Sequence, residues 1–338
     1  MGGDNAPEIV VEGAKIARER YPSVRYLLFG DEAKVAPLVA QHAQLTGVTT
    51  VHHTDQAISG EDKPAQAVRR GRDSSMGLAI QAVREGDAVV AVSAGNTGAL
   101  MALSKIMLRT LHDIDRPALA SLMPTLRGES VMLDLGANVE CSEENLIQFA
   151  VMGAVFARSV LGLARPRVGL LNIGVEELKG NDEVKAAGRR LRDAPLPMEF
   201  AGYVEGDGIG AGDFDVVVTD GFSGNVALKT AEGTAKLIYG LLKQVSAANF
   251  LTRLGLFIGR QGLNALRDHL DPQNHNGAVF LGLNGLVVKS HGGASASSFA
   301  SAIGVAADMA RHDLINAIHE DLKNFGGGEE LPAAVSAE

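Results

Sequence analysis

Twice along this chain a short apolar run breaks off at a small-residue loop containing Gly-Asn and resumes with helical periodicity. The copies are AVVAVSAGNTGAL at residues 88–100 and DVVVTDGFSGNVAL at residues 215–228. Residues 88–92 and 215–219 are too short and too rich in β-branched side chains for helices, so each copy reads as strand, loop, helix. A chain that repeats this unit is committed to an α/β fold, in which strands end at loops that open helices. The first amides of a helix lack intrahelical partners and sit at the positive end of its dipole, so such loops suit a phosphate or an oxyanion. The Ser, Thr and Asn side chains in both loops are neutral hydrogen bonders, better matched to an oxyanion or a polarised carbonyl than to a metal. Each loop alone can equally be an ordinary capped helix start; its repetition predicts two halves of one site.

The rest of the chain continues the alternation. Strands are expected at residues 25–29, 118–123, 131–135 and 168–171, and helices at 35–44, 74–85 and 142–161, the last with Ser142 as N-cap. Beyond the second Gly-Asn unit come an amphipathic segment at 249–270, two short apolar runs around AVFLGLNGLVVK, and a long final helix from about Ser295. The expectation is a single two-lobed α/β unit over 1–325, with 249–270 as a helical insertion and 326–338 as a disordered tail. The opening MGGDNAPEIVVEG places a Gly-Gly-Asp-Asn turn and a Pro7 helix start at residue one with no strand leading into them, so either a first strand is missing or the turn anchors differently here.

With 338 residues, 46% of them hydrophobic, the chain has ample core material. Forty glycines, no Trp and only 4% aromatics fit close helix-on-sheet packing and speak against an aromatic nucleotide-stacking platform. The lone Cys141 excludes an intramolecular disulfide or a thiolate metal cluster, and it reads as a structural thiol in a reducing cytoplasm. A net charge of -9 argues against bulk nucleic-acid binding, and no apolar run approaches the ~20 residues needed to cross a bilayer. There is no Walker A sequence, no His/Cys cluster and no strand-borne GxGxxG, so no metal, nucleotide or nicotinamide cofactor is expected.

The segments MGGDNAP, SAGNTGALMA, RPALA, LDLGANVEC, LLNIGVEELKGND, TDGFSGNVALK and LGLNGLVVKSHG occur in that order over nearly the whole chain. Together they resemble the bacterial acyl-ACP:phosphate acyltransferase family, PlsX. The resemblance implies transfer of a fatty acyl group from acyl carrier protein to inorganic phosphate, giving acyl phosphate for phospholipid synthesis. It also implies a three-layer α/β/α sandwich, Rossmann-like and similar to phosphotransacetylases and isocitrate-dehydrogenase-like enzymes. A homodimer acting in the cytoplasm at the membrane surface is implied as well, with a downstream glycerol-3-phosphate acyltransferase as a possible partner. Members of the family carry a strand just before Met-Gly-Gly-Asp, and this chain departs from them by starting inside that motif.

A thioester has a good leaving group and phosphate is already an anion, so the reaction calls for positioning and charge stabilisation rather than strong base catalysis. Lys179, in the loop after strand 168–171 and within the family pattern EExKGN, is the first catalytic candidate, to neutralise phosphate or the oxyanion. Asn225 is the second, as an amide donor to the carbonyl oxygen at a helix start. His291 in KSHGGAS is the third, to protonate the departing thiolate or bind phosphate. Ser93, Gly95, Asn96, Thr97 and Gly98 are expected to contact phosphate or pantetheine, with Ser223 and Gly224 from the second loop. Arg72 and Ser74 are candidate phosphate ligands where the family more often has paired lysines.

The segment NFLTRLGLFIGRQGLNALRDHL can lie in a membrane interface, cover an acyl chain or bury its apolar face in a dimer partner. Its Arg253, Arg260 and Arg267, with Lys243, form the expected docking patch for acidic acyl carrier protein. Two other functions fit the architecture: a metal-dependent decarboxylating dehydrogenase, and a non-enzymatic membrane-surface scaffold.

Overall fold

The computed structural model describes residues 1–60, 62, 64–247, 258–262 and 276–326. Side-chain caps set many of the helix starts. Asp31 opens α2 (Glu32–Ala40), Ser74 opens α4 (Ser75–Glu85) and Asn96 opens α5 (Thr97–Leu108), each side-chain oxygen accepting from an orphan amide. Ser142 forms a reciprocal capping box with Asn145 at the start of α6 (Glu143–Leu161), while Asn181 caps α7 (Asp182–Arg192) and Ser295 caps α9 (Ala296–Arg311). The remaining helices are α1 (Glu8–Arg20), α3 (Pro64–Arg70), α8 (Gly221–Ala247) and α10 (Leu314–Gly326).

Two sheets organise the molecule. The short strands β1 (Tyr26–Gly30) and β2 (Thr49–His53) pair in parallel. The larger sheet joins β3 (Val90–Ser93), β4 (Ala118–Thr125), β5 (Gly128–Leu133), β6 (Arg167–Leu171), β7 (Glu199–Val204), β8 (Val216–Val218), β9 (Ala278–Leu281) and β10 (Leu286–Lys289). Its order is β3-β10-β9-β4-β5-β8-β6-β7. Three successive antiparallel pairings, β10 with β9, β9 with β4 and β4 with β5, reverse the direction across the middle. Consequently β3, β10 and β4 run one way and the other five strands run the opposite way, so the C-terminal ends of β3 and β8 lie at opposite edges. A cleft of about 90 Å³ lies between the sheets, lined by Leu27 and Phe29 of β1, Val92 and Ser93 of β3, Met76 of α4, and Met1.

Helices cover both faces, which makes the three-layer α/β/α arrangement. On one face α6, α7, α9 and α10 pack on Val131, Val168, Val216 and Val288. Residues 145–157 of α6 are buried all round, so α6 is the central helix of that layer. Phe149 and Phe156 are fully enclosed there, and truncating such a residue to Ala costs about 3–5 kcal/mol. The other face carries α3, α4, α5 and the start of α8 over Ala91, Met123, Val217 and Val287.

Three expectations need correction. The helix expected at 35–44 begins earlier, at Glu32, because Asp31 caps it, and it ends at Ala40, followed by a separate 3-10 turn at Ala43–Leu45. Residues 221–225 are the first turn of α8 rather than a loop, because the Asp220 carboxylate accepts the Ser223 amide at 2.8 Å and starts the helix early. The single helix from Ser295 is two, α9 and α10, broken where Asp313 takes a left-handed φ of 47°. Of the amphipathic segment 249–270 only 258–262 is described, and these residues are largely helical; the tail at 327–338 lies outside the described residues.

Candidate active site

At the C-terminal ends of β5, β8 and β6 the organising group is Asp134. Its carboxylate is fully buried and accepts five N–H donors: Leu119 at 3.0 Å, Gly136 at 3.2 Å, Ala137 at 2.9 Å, and the Asn138 backbone and side chain at 2.7 and 2.8 Å. Burial pushes its pKa upward, and those donors oppose the shift. The loop it holds is the seat for α8. A Cβ on Gly224 would stand 1.9 Å from the Asp134 carbonyl oxygen, and one on Gly221 would stand 2.4 Å from that of Asn138, so only glycine allows this approach. Asn225 follows directly, with its Cβ 3.5 Å from where a Gly136 side chain would begin. Its amide is exposed and has no hydrogen-bond partner among the described residues.

Strand β6 is the hydrogen-bonded neighbour of β8, which brings the Lys179 loop to the same edge. Asn172 clasps that loop, donating to the carbonyls of Gly174 at 3.0 Å and Lys179 at 3.1 Å. The Lys179 ammonium is about half exposed and pairs with Glu176 at 3.2 Å. Burial pushes the thiol of nearby Cys141 up to about 12, and the negative charge of Asp134 adds to the shift, which disfavours the thiolate that a nucleophile needs.

The opposite edge gathers β3, β10 and the N-terminal turn. Lys289 ends β10 opposite Ser93 of β3, and the Ser290 amide donates to the Ser93 carbonyl at 2.8 Å. The Ser93 hydroxyl accepts from the Gly95 amide at 3.1 Å, and the Asp4 amide donates to the Gly292 carbonyl at 3.0 Å. Buried Asn276 braces the next turn, accepting from the His291 amide at 2.9 Å and donating to the Ser290 hydroxyl at 2.7 Å. His291 itself is exposed. Its Nδ1 accepts from the Gly293 amide at 3.1 Å, which leaves the proton of a neutral ring on Nε2. Lys289 is only 8% exposed, its ammonium donates to the Ser290 carbonyl, and no carboxylate pairs with it among the described residues.

The two Gly-Asn units therefore leave from opposite edges, and the halves are connected by α8 instead of by adjoining loops. Asn225 and Lys229 are four residues apart and so lie one turn apart on the same face of α8. Lys229 lies within electrostatic reach of Lys289, and with burial it helps lower the Lys289 ammonium to about 8, while Asp4 acts in the other direction.

A family model described as "Fatty acid synthesis protein" matches residues 1–317. The chain is 54% identical over 336 residues to the phosphate acyltransferase of Rhodospirillum rubrum, covering 99% of this chain and 95% of that one. It is 53% identical to that of Paramagnetospirillum magneticum, covering 100% and 96%. The chain belongs to the phosphate acyltransferase family. It is accordingly an acyltransferase enzyme, which sets aside the dehydrogenase and scaffold alternatives. Among solved structures, a phosphotransacetylase from Streptococcus pyogenes shares the fold at a TM-score of 0.55 and 17% identity, covering 88% of this chain and 98% of that one. The EutD phosphotransacetylase of Staphylococcus aureus does so at 0.53 and 16%, covering 90% and 100%.

Within this acyltransferase the expected site residues divide. Lys179, Ser223, Gly224 and Asn225 gather at one edge, and Ser93, Gly95, Asn96, Thr97, Gly98 and His291 at the other. Ser74 is withdrawn as a substrate contact: it is 2% exposed, and its hydroxyl is spent on the Gly71 carbonyl and the Gly77 amide as the cap of α4. Asn96 is also engaged. Its oxygen caps Ala99 at 3.0 Å and its nitrogen donates to the carbonyls of Gly60 at 2.7 Å and Asp62 at 3.4 Å, so the cap reading describes it. Thr97, at the first position of α5, and Arg72 remain exposed. Sequence reasoning missed Asp134, Asn276 and Lys289. Asp134 and Lys289 stand inside LDLGANVEC and LGLNGLVVKSHG, but nothing in those motifs announces burial, and Asn276 has no local signal at all.

Proposed function

We propose that this enzyme transfers a fatty acyl group from acyl carrier protein to inorganic phosphate, releasing acyl phosphate. The observation that carries the reading is the unengaged Asn225 amide, seated against the Asp134 loop at the start of α8. A phosphate oxygen attacks the thioester carbon, and the C=O π electrons move onto oxygen. The Asn225 amide donates to that oxyanion and Lys179 neutralises charge beside it. When the oxyanion collapses, the C–S bond breaks and the electron pair leaves on the carrier sulfur, which takes a proton from solvent; His291, at the β3–β10 edge, contacts the phosphate instead. Ser93, Gly95, Thr97 and Gly98 line the phosphate and pantetheine path, Ser223 and Gly224 border the oxyanion position, and Arg72 adds a cation at the mouth.

The enzyme works as a homodimer in the cytoplasm, at the membrane surface, and hands its product to a glycerol-3-phosphate acyltransferase. Among the described residues no helix is long and apolar enough to cross a membrane. The test is release of free acyl carrier protein from a long-chain acyl carrier protein, with and without phosphate, alongside mass detection of acyl phosphate. Phosphate-dependent release is expected; release that ignores phosphate, or none, overturns the reading.

A further inference from the structure

Lys289 is a buried cation that the catalytic scheme above leaves unused. Burying an ammonium is costly unless it is paired, yet the partners of Lys289 here are a backbone carbonyl and, at longer range, a second cation, Lys229. Asp4, on the N-terminal turn, is the carboxylate that acts on it electrostatically, without reaching ion-pair distance. Around this position stand the Ser93–Gly95 turn on the neighbouring strand and the turn that carries His291. Lys229 is exposed and shares its own charge with Glu232 at 3.0 Å.

We propose that Lys289, buried beside the Ser93–Gly95 turn and within electrostatic reach of Lys229 on α8, forms the binding site for the attacking phosphate. The proposal rests on the acyltransfer reading and deepens it by placing the nucleophile. An anion between the two ammonium groups replaces their mutual repulsion with two attractions. Because Asn225 lies one helical turn from Lys229, a phosphate held there faces the carbonyl that Asn225 polarises. Lys289 then sets the affinity for phosphate, and Asn225 the rate of the chemical step.

The test is steady-state kinetics of Lys289→Met and Lys229→Gln, with calorimetric titration of inorganic phosphate into each folded enzyme. Lys289→Met is expected to raise the KM for phosphate at least tenfold with the KM for acyl carrier protein unchanged, and Lys229→Gln to raise it several-fold. Lys229 is exposed, so its replacement reads the site even where Lys289→Met fails to fold. In the wild type, phosphate affinity is expected to fall as pH rises past about 8, where Lys289 loses its proton beside Asp4, Lys229 and His291. Unchanged phosphate affinity in both variants of a phosphate-dependent enzyme overturns the proposal and leaves the acyltransfer reading standing. Lysine-dependent phosphate binding in a wild type that forms no acyl phosphate supports the site and overturns the reading.

Discussion

The two asparagines of the repeated units differ in what their side chains already do, and the difference can be measured. Asn96 is spent as cap and tether, so Asn96→Ala is expected to cost about 1 kcal/mol of stability, read as a lower unfolding midpoint with kcat nearly unchanged. Asn225 is unengaged, so Asn225→Ala is expected to leave the midpoint in place and cut kcat roughly 10²–10³-fold. A large kcat loss in the Asn96 variant alone would reverse the assignment. The sequence showed both asparagines in like surroundings and could not tell them apart, because the Asn96 acceptors at Gly60 and Asp62 come from more than thirty residues away. Lys289 offers a second test at this scale. Its folded pKa of about 8 lies below the ordinary 10.5, so the buried ammonium costs stability below pH 8, and the cost fades as pH rises to 10.5. Between those limits wild type should gain about 3 kcal/mol in unfolding free energy over Lys289→Met, measured by denaturant titration at each pH.

Among the elements, α8 carries the most function for the least local signal. Its apolar periodicity was legible, but its start was not: the Gly-rich 221–225 stretch reads as loop by composition, and a single acidic cap, Asp220, makes it helix. Two glycines on this helix separate close approach from mere flexibility. Gly224→Ala drives a Cβ into the Asp134 carbonyl and is expected to cost about 1–3 kcal/mol and to lower kcat by shifting Asn225. Gly233 faces open space, so Gly233→Ala should stabilise the helix by about 0.5–1 kcal/mol with activity intact. Equal effects at the two positions, in thermal unfolding and in turnover, would mean that the seat on the Asp134 loop is unimportant. The other helix boundaries were easier to read where Ser74 and Ser142 supply caps from within their own segments.

At the scale of the whole molecule, the far part of α8 carries an apolar stripe that is uncovered among the described residues, Leu237, Leu241 and Val245, each half exposed or more and each one turn after the last. If the homodimer proposed above forms there, the double variant Leu237→Glu, Leu241→Glu should halve the mass seen by light scattering without lowering the unfolding midpoint. An unchanged mass would show that this stripe is not a subunit interface. Periodicity, caps and glycine placement determined the α/β class, most strands and several helix starts, because these depend on residues close in sequence. The ordered motifs also determined the family, since many short matches in one order are specific without any structure. What only the tertiary structure decided is which groups meet. The antiparallel pairings of β10 with β9, β9 with β4 and β4 with β5 turn β8 against β3 and send the two Gly-Asn units to opposite edges. Burial, and with it the unpaired charge of Lys289, follows from packing among segments hundreds of residues apart, a property that no local window of sequence contains.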